Sequence, residues 1–139
     1  LEMGADVTYR IPERDEGYGL NVDAVHAMHE DGVELIVTVD NGITAIAEAE
    51  LIADLGMTLV ITDHHQPLET LPKAAAIVDA HRADDTSPFH DLCGAGVALK
   101  LVAALDGGDT AMALEQFGEL AARRRRPARQ RRPAICMPR

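Results

Sequence analysis

Asp40, Asp63, His64 and His65 are the residues of this sequence whose types and spacing best suit chemistry. Carboxylate oxygen and imidazole nitrogen together fit a hard or borderline divalent cation such as Mn²⁺. Each acid closes an apolar run. Leu35-Ile36-Val37-Thr38-Val39 leads into Asp40-Asn41-Gly42, and Leu59-Val60-Ile61-Thr62 leads into Asp63-His64-His65. Short runs of this kind, rich in β-branched residues and bounded by polar ones, suit buried parallel strands. The polar clusters then stand at the C-terminal ends of the strands, where open α/β sheets place their ligands. If the two strands are neighbours, all four side chains share one rim. The plainer alternative makes Asp40-Asn41-Gly42 a turn and the histidine pair a solvated entry to a loop.

Should both histidines still lie on the strand, their rings point to opposite sides. One imidazole then serves the cation, and the other faces the reacting group as proton donor or charge stabiliser. Asp63 is placed to orient a neighbouring imidazole from behind.

The elements that must position these residues alternate in type. Ala5 to Ile11 alternates loosely and reads as a first strand, closed by Pro12. Residues 13–20 form a glycine-bearing loop. Asn21 caps a helix over about 22–31, with Val22, Val25 and Met28 as its apolar stripe and Gly32 as its end. A strand follows over 34–39. Thr44 is placed to cap a helix over about 45–55, which Gly56 stops. The strand at 58–62 follows, then a two-proline loop, a short strand over 75–78 ending on Asp79, and a polar stretch over 80–93. Helices over about 95–105 and 110–121 complete the pattern, an α/β, doubly wound, mainly parallel sheet with flanking helices.

The motifs also carry a resemblance. Thr62-Asp63-His64-His65 resembles the signature of the DHH phosphoesterase family, and Val39-Asp40-Asn41-Gly42 its preceding acidic motif. Ile11-Pro12-Glu13-Arg14, Glu16-Gly17-Tyr18-Gly19-Leu20 and Leu92-Cys93-Gly94-Ala95-Gly96-Val97-Ala98 resemble one branch, the RecJ-type single-strand-specific 5′-to-3′ DNA exonucleases. The match runs over roughly residues 1 to 106, in order and in register.

The resemblance implies two-metal phosphodiester hydrolysis with Mn²⁺ or Mg²⁺, acting on single-stranded DNA in repair and recombination. It implies Asp40 and His64 as metal ligands, Asp40 bridging two ions, with His65 and Asp63 as catalytic residues. Asn41 and Gly42 would shape a turn that lets backbone approach a phosphate, and Arg14 and Tyr18 would touch phosphate or base. The family's first acidic motif would precede Leu1, its last metal-binding Asp would follow residue 122, and its nucleic-acid-gripping domain would lie outside these residues. The expectation is therefore a partial DHH domain over 1–122, inactive alone. The alternatives are a DHH phosphodiesterase for short oligonucleotides or cyclic dinucleotides, a non-catalytic truncated remnant, and a flavodoxin-like small-molecule binder. The last is disfavoured because no strand ends on a Ser/Thr-rich phosphate loop.

Length and charge set the frame. At 139 residues the chain is one domain at most. Its net charge of -10 is unevenly spread. Residues 1–122 carry 23 acids against five bases, a net of -18, whereas 123–139 carry eight arginines and no acid. An acidic body argues against broad electrostatic capture of nucleic acid. The arginine-rich tail has no hydrophobic period and repels itself, so disorder is expected there. Its abrupt change of composition fits an out-of-frame reading of GC-rich coding sequence, and an opening on Leu fits a fragment. Cys93 and Cys136 make no disulfide framework. No leader and no long apolar run is visible, which points to a cytoplasmic protein without a membrane span. No protein partner is inferable. Asp79 reads as a loop cap, His26 and His29 as surface residues, and Gly94-Ala95-Gly96 as close packing of helix on sheet.

Overall fold

The computed structural model describes residues 4–12 and 19–122. Arg14, Tyr18 and the tail over 123–139 lie outside the described residues. Helix α1 covers Val22–Glu30, strand β1 Leu35–Val39, helix α2 Ile46–Asp54, strand β2 Thr58–Thr62, strand β3 Ala76–Val78, helix α3 Gly94–Leu105 and helix α4 Thr110–Ala122. The three strands form one parallel sheet in the order β1-β2-β3. This is the expected α/β architecture, a parallel sheet with flanking helices.

Local chemistry accounts for most boundaries. Asn21 caps α1 as expected, its Oδ1 accepting from the Ala24 N–H at 2.8 Å. Gly32 and Gly56 leave α1 and α2 with positive φ of 77° each, a conformation that costs glycine nothing. Thr44 does not cap α2. The N-cap position falls on Ala45, because a turn from Gly42 to Ala45 delays the helix start by one residue.

The core lies between the sheet and helices α1 and α2. Ile36, Leu59 and Ile61 alternate onto one face and meet Val25 from α1 and Ala49 and Ile52 from α2. Ile61 and Ile52 are fully buried, and each such side chain contributes about 1.5–3 kcal/mol of hydrophobic stabilisation. Val22 is not part of the stripe on α1. It faces solvent, and Ala24 takes the buried place beside Val25.

Two expectations are corrected here. Ala5 to Ile11 forms no strand, and Val7, Tyr9 and Ile11 are exposed. An alternating segment becomes a strand only when a neighbour takes its backbone groups, and among the described residues no strand pairs with it. Strand β1 is buried on one face only. Leu35, Val37 and Val39 are 43–52% exposed, because α1 and α2 cover the other face while α3 packs mainly on α4 and only lightly on β2. Both edges needed for the site are nevertheless fixed, since β1 and β2 pair over their whole length.

Candidate metal centre

Register brings the chemical residues together. Val39 pairs with Thr62, and the Asp40 N–H donates to the Thr62 carbonyl at 3.0 Å. The chain therefore leaves β1 at Asp40 and β2 at Asp63 side by side. Thr38 and Thr62 lock this end of the ladder: the Thr62 hydroxyl donates to the Thr38 carbonyl at 2.6 Å, and the Thr62 N–H donates to Thr38 Oγ1 at 3.3 Å.

Asp40 has a φ of 67°, the one positive value at a non-glycine among the described residues. This conformation costs an ordinary residue about 1–2 kcal/mol, and Asp tolerates it better than most. Gly42 follows at φ 106°, and a Cβ there would stand 2.8 Å from Thr38 Oγ1. Glycine is thus required twice over, by conformation and by space. Asn41 donates its side-chain amide to the Val39 carbonyl at 3.3 Å and steadies the same turn.

Asp63 is the hub. It is 1% exposed. Its Oδ2 accepts from the Ile43 N–H at 3.0 Å, and its Oδ1 accepts from the backbone N–H groups of His64 at 2.7 Å and His65 at 3.3 Å. Oδ1 also stands 2.6 Å from His65 Nδ1. With Nδ1–H given to Asp63, the His65 ring carries its lone pair on Nε2, the arrangement that tunes metal-binding and proton-transferring histidines. The sequence placed Asp63 behind an imidazole. It did not show that the same carboxylate holds the β1–α2 turn through Ile43, twenty positions away.

The two rings do not diverge. Strand β2 ends at Thr62, so His64 and His65 are off the strand and its alternation no longer applies. Their centroids are 4.5 Å apart with planes inclined by 43°. One donor atom each from Asp40, His64 and His65 lies within 4.8 Å of the others. His64 Nε2 stands 2.9 Å from Asp40 Oδ1, yet that buried oxygen has no hydrogen-bond partner. An anionic oxygen and a ring nitrogen 2.9 Å apart, with a second imidazole donor atom within 4.8 Å, are a donor set of the hardness a divalent ion of the Mn²⁺ type prefers.

The electrostatics follow. Burial alone would raise the Asp63 pKa, but hydrogen bonds from the Ile43 N–H, the His65 ring and the backbone of His64 and His65 outweigh it, leaving it below the ordinary 3.8. His65 is raised above its ordinary 6.5, first by the hydrogen bond to Asp63, against partial desolvation, and then by the fields of Asp63, Asp40 and Asp79. A raised imidazole stabilises the fold fully below pH 6.5 and loses that contribution as pH rises through its folded value. The lowered carboxylate contributes above 3.8 and loses it as pH falls through its own folded value. The stability difference between the metal-free chain and its His65→Ala variant, read from urea midpoints, should therefore be largest near about pH 5.5 and shrink above neutrality.

The other candidates stay apart. Asp79 is buried and caps its loop, Oδ1 accepting from the His81 N–H at 2.8 Å. His26 and His29 are exposed on α1. An open cavity of about 500 Å³ adjoins the cluster, lined by Gly19, Leu20, Asn41 to Ala45, Glu48, Asp63 and His65. Among the described residues, no helix is long and apolar enough to cross a membrane.

Comparison with known proteins extends the geometry. The chain is 46% identical over 107 residues to a single-stranded-DNA-specific exonuclease RecJ of Bacillus subtilis, covering 76% of this chain and 14% of that protein. It is 43% identical over 102 residues to the Escherichia coli protein of the same name, covering 73% of this chain and 18% of the other. It thus spans less than a fifth of the length of these relatives. A crystal structure of an exonuclease RecJ bound to manganese superposes with a TM-score of 0.69 at 33% identity, over 87% of this chain and 31% of that one. The family model described as the DHH family, N-terminal domain, matches residues 1–122, and the chain belongs to the DHH family.

Proposed function

We propose that this chain carries part of the catalytic centre of a metal-dependent phosphodiesterase, a 5′-to-3′ exonuclease on single-stranded DNA that works in repair and recombination in the cytoplasm. The observation that carries the reading is the convergence of donor atoms from Asp40, His64 and His65 within 4.8 Å. The relatives' specificity for single-stranded DNA and the manganese of the structural neighbour support it.

Asp40 and His64 hold Mn²⁺ or Mg²⁺ in this reading. The bound ions supply positive charge to the phosphate oxygens and acidity to bound water. His65, oriented by Asp63, faces the scissile phosphate and donates a hydrogen bond or proton towards the leaving oxygen. Asn41 and Gly42 present the backbone of their tight turn to the phosphate, and Arg14 and Tyr18 contact phosphate and base. The cavity beside His65 leaves room for the nucleotide next to the cleaved bond. One carboxylate and one imidazole do not define a two-ion site, so in this reading the chain alone is inactive, a partial DHH unit over 1–122 followed by an Arg-rich tail that fits an out-of-frame reading.

A second reading draws on charge. The net of -18 over residues 1–122 disfavours long polyanions and suits short oligonucleotides or dinucleotides. A chimera separates the two. Residues 1–106 of this chain replace the matching segment of the Bacillus subtilis relative, and the product is offered single-stranded DNA, duplex DNA and dinucleotides with Mn²⁺. Degradation of long single strands that is lost on Asp40→Ala is the expected result. Cleavage of dinucleotides alone would favour the second reading, and activity unaffected by Asp40→Ala would refute both.

A further inference from the structure

We propose that Gly94, the first residue of α3, is a positioning residue for Asp40: its missing side chain is the space in which the Asp40 carboxylate sits. The inference rests on the reading of Asp40 as a cation ligand. A Cβ at Gly94 would overlap Asp40 Oδ1 and Cγ outright and would stand 2.8 Å from Asp40 Cβ. Turning the carboxylate would relieve the first two contacts. The third remains, because Asp40 Cβ follows a backbone held by the bond to the Thr62 carbonyl and by the left-handed φ of 67°.

Burial shows which way the contact acts. The Asp40 side chain is 47% exposed as a whole, yet Oδ1 is buried and without a hydrogen-bond partner. The start of α3 therefore covers one oxygen and leaves the rest of the group open. That arrangement fixes the direction of the carboxylate and keeps Oδ1 beside His64 Nε2, 2.9 Å away. The helix N-terminus adds a favourable dipole for the negative charge. Helix α3 cannot simply retreat, since Gly94, Val97 and Ala103 are its buried contacts. An ordinary helix-on-sheet glycine would press against an apolar strand residue, whereas this one presses against the group read as a ligand.

The test compares Gly94→Ala with Gly96→Ala in the full chain, using Mn²⁺ electron paramagnetic resonance titration and thermal unfolding. A Cβ at Gly96 would meet Leu92 Cδ2 at 3.0 Å, the far end of a flexible side chain, so the second variant makes the same chemical change away from Asp40. Gly94→Ala should weaken Mn²⁺ binding about tenfold or more, as expected when a ligand loses its orienting contact, while Gly96→Ala should bind as the unsubstituted chain does. Gly94→Ala should also lower the Tm by roughly 5 °C, and most of that loss should disappear in an Asp40→Gly background, which removes every clashing atom and suits the positive φ. If Gly94→Ala does not fold, recovery of folding by Asp40→Gly supports the proposal, and failure to recover overturns it. Unchanged Mn²⁺ affinity, or a thermal penalty that Asp40→Gly leaves intact, also overturns it. If the unsubstituted chain binds no Mn²⁺, the ligand reading of Asp40 falls, and the thermal cycle alone decides whether Gly94 positions the carboxylate.

Discussion

Asp63→Ala should destabilise the chain by about 3 kcal/mol, measured by urea denaturation near neutral pH. The carboxylate is almost fully buried and receives the Ile43, His64 and His65 N–H groups as well as the His65 ring. Hydrogen bonds to a charged group contribute about 1.5–3 kcal/mol each, and a buried donor left unpaired costs about 1–3 kcal/mol. Ile43 is itself 1% exposed, so water cannot easily reach its N–H, whereas the His65 ring is open and recovers solvation. A loss of this size is a large part of the stability of a small domain. Asp63→Asn discriminates further, because it keeps the shape and one acceptor. Its single acceptor can serve either the Ile43 N–H or the His64 and His65 donors but not both sets, and loss of the charge should let His65 fall towards its ordinary pKa, seen as a titration midpoint at lower pH. A loss below about 0.5 kcal/mol on Asp63→Ala would place this residue among ordinary surface groups and refute its role as the hub of the rim.

What the sequence disclosed, and what it withheld, follows from the range of the interactions involved. Strands β1 and β2 and the helix cap at Asn21 depend on neighbours within a few positions, and they were readable to within a residue or so. The proximity of Asp40 to the histidines depends on register. A slip of one residue between β1 and β2 would turn one set of side chains to the other face, and nothing local forbids it. The Thr38–Thr62 pair and the Asp63–Ile43 bond enforce the observed register, and both join residues twenty or more positions apart. The parity rule that sends adjacent side chains to opposite faces failed for His64 and His65 because the strand stops at Thr62. Asp63 turns the chain there by accepting its own neighbours' N–H groups. Thr44 had the right chemistry for a cap but stands inside the turn that Gly42 begins. Ala5 to Ile11 had the right alternation but lacked a partner strand among the described residues. Gly94 was legible as close packing, though not as packing against a carboxylate.

The larger functional effect should come from Asp40→Asn, which ought to weaken Mn²⁺ binding by at least about a hundredfold, beyond what loss of an orienting neighbour costs. The replacement is nearly isosteric, and asparagine accepts the left-handed φ of 67° as readily as aspartate. The bond from residue 40 N–H to the Thr62 carbonyl uses backbone only and survives. Folding should therefore change by less than about 0.5 kcal/mol, and any loss of binding reports on the charge itself. An amide oxygen is a poor substitute for a carboxylate on a divalent ion, and the His64 imidazole that remains suits softer cations. The substitution also removes one of the fields that raise His65, so protons should compete less well for that ring. A protonated His65 repels a cation held beside it, so the pH range over which Mn²⁺ affinity falls should lie lower than in the unsubstituted chain. Mn²⁺ affinity that survives Asp40→Asn undiminished would mean that the cation, if it binds, sits elsewhere than between the two strand ends.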